Sequence, residues 1–160
     1  MKPALPRDES ALIQLATFVV GTETYALDIM RIKEIIQPLK ITSVPKVPAF
    51  IEGVIELRGS ILPVVDLRKR FDLPATPATR ASKYVIVGIE GRIVGLVVDA
   101  VGEVLRVGDQ EISAAPELQG DAAQYFAGVC RHDGRILFIL DLDRILSSTE
   151  KISLAGLSKP

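Results

Sequence analysis

Residues 53–71, GVIELRGSILPVVDLRKRF, contain the features that decide the fold of this chain. Apolar runs on both sides of Arg58-Gly59 predict two antiparallel strands joined by a tight turn. A two-residue turn of this kind favours Asn-Gly or Asp-Gly, because its first residue needs a positive φ. Arg58 is therefore unusual at this position, and such departures from local turn chemistry tend to mark functional sites.

The same pattern occurs again 75 positions later, at residues 128–146, GVCRHDGRILFILDLDRIL. Seven of the nineteen aligned positions are identical without a gap. An earlier part of the chain repeats with a shift of 69, which places Glu34-Ile35-Ile36 over Glu103-Val104-Leu105. Asp133 occupies the position of Arg58, so the second copy follows the turn rule that the first copy breaks.

The repeat predicts an all-β fold with a few short helices, in which two small five-stranded barrels pack on a shared hydrophobic core. Each unit alone is too small to be stable, so the two units are expected to pack together with a groove between them. The predicted organisation is as follows: a flexible tail at 1–14, one domain at 15–147 with subdomains 15–73 and 83–147 and a linker at 74–82, and a C-terminal tail at 148–160.

Composition excludes several classes of protein. The chain has 160 residues, of which 48% are hydrophobic, but its uncharged runs are shorter than a membrane span requires. A net charge of −1 without long blocks of one sign argues against nucleic acid and anionic membranes as partners. The N-terminus does not resemble a secretory signal, and the single cysteine, Cys130, fits a reducing compartment.

Two pairs of residues are candidates for catalysis. Asp66 and Asp141 are equivalent in the repeat, and two close carboxylates are what an aspartic-protease-like hydrolase needs. Each Asp is followed by a leucine instead of the hydroxyl residue and glycine of such sites, which favours helix caps. Cys130 and His132 lie on one face of a strand, but a buried structural cysteine is the simpler interpretation. No metal site and no cofactor are predicted.

Residues 48–71, PAFIEGVIELRGSILPVVDLRKRF, resemble the CheW-like domain of bacterial chemotaxis, whose pattern is close to PxFIxGVxNLRGxIxPVxDL. Residues 92–105, RIVGLVVDAVGEVL, are similar to a second run of that family, and residues 125–137 to its C-terminal hairpin. The resemblance covers Leu15 to Leu146. It implies two SH3-like barrels around a shared core.

The resemblance also implies a non-enzymatic coupling protein. Members of the family bind the cytoplasmic tip of methyl-accepting chemoreceptors and the regulatory domain of the histidine kinase CheA, and they form rings of CheW-like domains. The expected location is the cytoplasm, at the inner face of the membrane through receptor arrays. A coupling protein of a pilus-based or surface-sensing system is the alternative, and the chain is expected to be too short for CheA or CheV.

Site residues follow from the resemblance position by position. The receptor-binding surface is expected to contain Ile32, Glu34, Arg58, Ile61 and Leu62, whereas the kinase-binding residues are not assigned. Four glycines match structural positions of the pattern, namely Gly53, Gly59, Gly128 and Gly134. Glu56 replaces the family asparagine, and its carboxylate lies close enough along the chain to engage Arg58 or to alter receptor choice.

Overall fold

A computed structural model describes residues 12–74, 77–114 and 124–146. The strands of these three ranges, numbered in chain order, are β1 (Leu12–Val20), β2 (Glu23–Asp28), β3 (Ile32–Ile36), β4 (Ile51–Leu57), β5 (Ser60–Asp66), β6 (Lys83–Ile89), β7 (Arg92–Val98), β8 (Ala100–Gly108), β9 (Ile112–Ser113), β10 (Phe126–His132) and β11 (Arg135–Leu140). The helices with described bounds are α1 (Leu67–Arg70) and short 3-10 turns at Ile29–Arg31, Asp109–Glu111 and Leu142–Arg144. The predicted mainly-β fold with few short helices is confirmed.

The strands form two sheets. The first sheet has the order β3-β6-β7-β5-β4, and the second has the order β8-β1-β2-β11-β10-β9. The second sheet has six strands instead of the predicted five, because the two-residue strand β9 pairs with β10. An isolated bridge between Thr42 and Val54 stands at the equivalent edge of the first sheet.

Each sheet is built from both halves of the chain. The hairpin β1–β2 joins the second sheet through a parallel pairing of Ala26 with Ile139. The hairpin β6–β7 joins the first sheet through the matching parallel pairing of Gly95 with Val64. The predicted assignment of strands to subdomains 15–73 and 83–147 is therefore wrong, because the two copies exchange their first hairpins.

The exchange preserves the internal repeat. Shifts of 69 and 75 convert the order β3-β6-β7-β5-β4 into β8-β1-β2-β11-β10, strand for strand. Three hydrophobic clusters follow from this arrangement: one is shared between the sheets, and one lies within each sheet. Ile55, Leu62 and Val64 in the first sheet correspond to Cys130, Leu137 and Ile139 in the second, as the repeat requires. The predicted shared core is present.

A buried polar network joins the sheets at one side of this core. Asp66, which is 1% exposed, caps α1 and accepts hydrogen bonds from the Nε (3.1 Å) and Nη2 (3.0 Å) atoms of Arg68. Arg68 Nη1 also donates to Asp99, whose other oxygen accepts from the backbone N–H of Gly21 in the β1–β2 turn. Because Asp66 ends a strand of the first sheet and Gly21 belongs to the second, this network holds the exchanged hairpin in place.

Gly53 and Gly128 occupy equivalent crowded positions. A side chain on Gly53 would collide with the carbonyl oxygen of Thr42, and Gly53 also has a φ of 144°. A Cβ on Gly128 would lie 2.7 Å from the carbonyl oxygen of Ser113. Both glycines therefore let an edge segment approach the sheet more closely than any side chain would allow.

Candidate functional site

The turn that contains Arg58 adopts the demanding conformation that the sequence indicates. Arg58 has a φ of 50° and Gly59 a φ of 85°, which is the pattern of a type I′ hairpin turn. Asp133 and Gly134 have φ values of 50° and 75° in the equivalent turn. A non-glycine residue with a long side chain is disfavoured in this region, so Arg58 costs stability where Asp133 costs less.

Arg58 forms a bidentate ion pair with Glu34. Its Nη1 and Nη2 atoms donate to the two carboxylate oxygens of Glu34 at 2.8 and 2.6 Å. The hydrogen bond from Arg58 lowers the pKa of Glu34, and the same bond raises the pKa of Arg58. The Arg58 side chain is 66% exposed, so a partner has access to the charged end of the pair. The structure thus brings together two of the predicted site residues.

The apolar residues of the predicted site divide into two groups. Ile61 is 41% exposed beside the turn, and Ile32 is half-buried between the shared core and the surface. Leu62 is only 3% exposed and packs inside the first sheet with Ile55 and Val64. Leu62 is therefore wrong as a contact residue, because adjacent strand residues point to opposite faces and Ile61 occupies the outer one.

An apolar groove of about 270 Å³ opens next to Glu34. Its walls are β3 and β8, each the outermost strand of its own sheet, and its floor comes from β1 and β6. Three residues that sequence reasoning did not select leave large apolar side chains exposed at this groove: Ile35, Val101 and Val104. The shift of 69 relates Ile35 to Val104, and this equivalence is the sequence signal that could have identified them.

Glu56 does not engage Arg58 in this structure. It is exposed on β4, opposite Ile61 in the strand register, while both Nη atoms of Arg58 donate to Glu34. The repeat places Arg131 at the equivalent position on β10. Glu56 thus adds a negative charge beside the turn without neutralising the arginine.

The two aspartates of the hydrolase alternative serve as helix caps. Asp66 accepts from the backbone N–H of Arg68 at 2.9 Å, and Asp141 accepts from that of Asp143 at 3.0 Å. Both oxygens of Asp66 are also engaged by the Arg68 guanidinium, and the carboxylate is almost fully buried. An aspartic dyad needs two accessible carboxylates that share a proton, and this arrangement does not provide them.

Cys130 is a core residue. Its side chain is fully buried in the hydrophobic cluster of the second sheet, and burial raises the pKa of its thiol. His132 contacts Glu111 instead, with 3.2 Å between Nδ1 and Oε2. Among the residues that the structure describes, no group of His, Cys, Asp and Glu has the arrangement of a metal site. No described helix is long and apolar enough to cross a bilayer.

Comparisons with known proteins agree on one family. Residues 14–150 match the family model of the CheW-like domain. The chain is 34% identical to the chemotaxis protein CheW of Treponema pallidum over 97% of this chain and 93% of that protein. It is 35% identical to the chemotaxis protein CheW of Bacillus subtilis over 83% of this chain and 86% of that protein.

A solved structure supports the same conclusion. The crystal structure of the scaffolding protein TtCheW from Thermoanaerobacter tengcongensis superposes with a TM-score of 0.81 at 33% sequence identity. The superposition covers 86% of this chain and 94% of that one.

Proposed function

The chain belongs to the CheW-like domain family of chemotaxis coupling proteins, and we propose that it joins chemoreceptor tips to the histidine kinase CheA without catalysing a reaction. In this role it transmits receptor state to kinase activity. It would act in the cytoplasm, at the inner face of the membrane, where receptor arrays assemble.

The observation that carries this proposal is the apolar groove flanked by the Arg58–Glu34 pair. A groove with apolar walls accepts one face of an amphipathic helix, and we expect the receptor tip to be a helical hairpin. Ile35, Val101 and Val104 supply the apolar contact, and Arg58 supplies a planar donor next to it. Exposed apolar side chains of this size in one groove are typical of interaction sites.

Titration with purified partners tests the proposal. A cytoplasmic tip fragment of a methyl-accepting receptor and the regulatory domain of CheA are each titrated against the protein by calorimetry. We expect micromolar dissociation constants, equivalent to about 8 kcal/mol. Val104→Glu should abolish receptor binding and leave the melting temperature unchanged, because Val104 is 47% exposed. Absence of binding to both fragments would refute the proposed function.

The absence of catalysis has its own test. Asp66→Asn and Asp141→Asn variants are compared with the unaltered protein for coupling of receptor and kinase in a reconstituted array. Asp141→Asn should couple normally, because Asp141 caps a short 3-10 turn and, among the described residues, pairs only with the exposed Arg144. Peptide hydrolysis that disappears in both variants would support the hydrolase alternative.

A further inference from the structure

The described chain passes directly from one sheet to the other at two places, and each passage leads into a wall of the groove. Asp99 alone separates β7 of the first sheet from β8 of the second. The turn Ile29–Arg31 separates β2 of the second sheet from β3 of the first. The shift of 69 makes these passages equivalent, with Met30 as the counterpart of Asp99. Ile32 on β3 and Val101 on β8 follow closely, and both line the groove.

An ion pair ties each passage to the sheet that the chain has just left. Arg68 follows β5 of the first sheet, and its Nη1 atom lies 3.2 Å from Oδ1 of Asp99. Asp143 follows β11 of the second sheet, and its Oδ1 atom lies 3.3 Å from Nη2 of Arg31. The shift of 75 relates Arg68 to Asp143, so the two pairs stand at nearly equivalent places. Each pair therefore joins the start of one groove wall to the opposite sheet.

The start of β8 is held by buried groups. The side chains of Arg68 and Asp99 are only 11% and 19% exposed. The second carboxylate oxygen of Asp99 accepts a hydrogen bond from the backbone N–H of Gly21 at 2.7 Å. Thr17 on β1 donates its hydroxyl to the carbonyl oxygen of Glu103 on β8, also at 2.7 Å. The β8 wall is thus fixed by several polar contacts that solvent screens weakly.

The start of β3 is held at the surface. The side chains of Arg31 and Asp143 are 37% and 51% exposed, so water and salt weaken their attraction. Arg31 Nη2 also donates to the carbonyl oxygen of Gly88 at 3.1 Å, so the guanidinium joins β6 of its own sheet to the other sheet. The shift of 69 places Ile86 on β6 where β1 has its hydroxyl donor. A register irregularity follows Ile32 in the β3–β6 pairing and interrupts the regular ladder there.

We propose that Arg31 and Asp143 are positioning residues of the groove, and that their ion pair holds the β3 wall at the separation from the β8 wall that a helical partner needs. Neither residue belongs to the described groove lining, so the pair acts through Ile32 and the strand that follows. A wall that is held before binding loses less freedom when the helix binds. This inference rests on the proposed function and adds to it two residues that control the shape of the groove.

Electron paramagnetic resonance between two nitroxide labels measures the wall separation in the free protein. Lys33→Cys on β3 and Glu103→Cys on β8 provide exposed sites outside the groove lining, and Cys130 stays unlabelled because it is fully buried. Both labels are present in every protein compared. We expect one narrow distribution of distances with the ion pair intact. Asp143→Ala should broaden this distribution, and a bound cytoplasmic tip fragment of a methyl-accepting receptor should narrow it again.

Calorimetric titration with the same tip fragment measures the effect on binding in unlabelled protein. Asp143→Ala should raise the dissociation constant about threefold to tenfold, because the wall is then ordered only on binding. The melting temperature should stay unchanged, since the pair is exposed. Arg144→Ala is the matched control in the same 3-10 turn, because its ion pair with Asp141 stays within that segment. It should change neither the dissociation constant nor the distance distribution.

Exchange of the two charges separates the ion pair from its individual residues. Arg31→Asp should weaken binding at least as much as Asp143→Ala, because it also removes the hydrogen bond to Gly88. Addition of Asp143→Arg to Arg31→Asp should recover part of the lost affinity and narrow the distance distribution, since a pair of reversed polarity can form. Two residues that matter only individually would not show this recovery.

The outcomes separate the two proposals. A distribution that is equally narrow with and without Asp143 would overturn the positioning role. Unchanged affinity of Asp143→Ala for the tip fragment would overturn it too, and so would a double variant that binds no better than Arg31→Asp. No binding of the tip fragment by the unaltered protein would refute the proposed function, whereas the distances in the free protein would still test the ion pair.

Discussion

The β4–β5 and β10–β11 hairpins have the same backbone and different surfaces. Both end in a type I′ turn, and both place equivalent apolar residues in a sheet core. The first presents Arg58, held by Glu34 in a bidentate pair, and the second presents Asp133. The two hairpins thus share the positions that fold the chain and differ at the exposed positions of their turns.

The largest expected effect concerns the crowded glycines of the two hairpins. Gly53→Ala should destabilise the protein by about 4 kcal/mol, because it combines a positive φ with a collision against a backbone carbonyl. Gly128→Ala should cost about 2 kcal/mol, since its Cβ meets the Ser113 carbonyl at 2.7 Å. Denaturant unfolding of both variants measures the difference. Equal losses would show that the two edges are equally crowded.

The second-largest expected effect is a difference in stability loss between variants of the two capping aspartates. Asp66→Ala should cost about 3 kcal/mol, because it breaks a buried pair with Arg68 that links the two sheets. Asp141→Ala removes a cap at the surface and should cost about 1 kcal/mol. Thermal melts of the two single variants provide the comparison. A larger loss for Asp141→Ala would contradict the assignment of the sheet-joining network to Asp66.

Variants at the two hairpins should weaken receptor binding while the protein still folds. Arg58→Glu should raise the dissociation constant for a receptor-tip fragment at least about 30-fold, as expected when an interface arginine is replaced by a residue of opposite charge. Folding should be retained, because the side chain is 66% exposed. Arg135→Glu is the comparison variant at the start of β11, where an arginine pairs with Glu103, the counterpart of Glu34, at the longer distance of 3.6 Å. We expect it to weaken binding less, and unchanged binding by Arg58→Glu would remove Arg58 from the site.

The smallest expected effect is a dependence on pH. Because Arg58 holds the pKa of Glu34 below its ordinary value, their pair contributes its full stability above the ordinary glutamate pKa. That contribution is lost as the pH falls through the lowered pKa of the folded protein. NMR titration of the Glu34 carboxyl in the unaltered protein and in Arg58→Ala should show the pKa rising towards its ordinary value in the variant. An identical titration in both proteins would contradict the hydrogen bond as its cause.

Much of the site could be predicted from residue patterns alone. The departure of Arg58 from turn chemistry singled it out, and the family pattern joined it to Glu34, which lies 24 positions away in the sequence and 2.6 Å away in space. Leu62 was assigned wrongly although strand alternation separates it from Ile61. The groove residues Ile35, Val101 and Val104 were missed, because their exposure depends on how two edge strands face each other.

The sequence by itself determined the β4–β5 and β10–β11 hairpins, their turns and their equivalence, because alternation and turn chemistry act over a few residues. Only the tertiary structure decided which hairpin completes which sheet. Ala26 pairs with Ile139, and Gly95 with Val64, although neither pairing follows from local pattern. Backbone hydrogen bonds do not by themselves distinguish one apolar strand from another, so partner choice depends on how side chains from both halves fill the shared core.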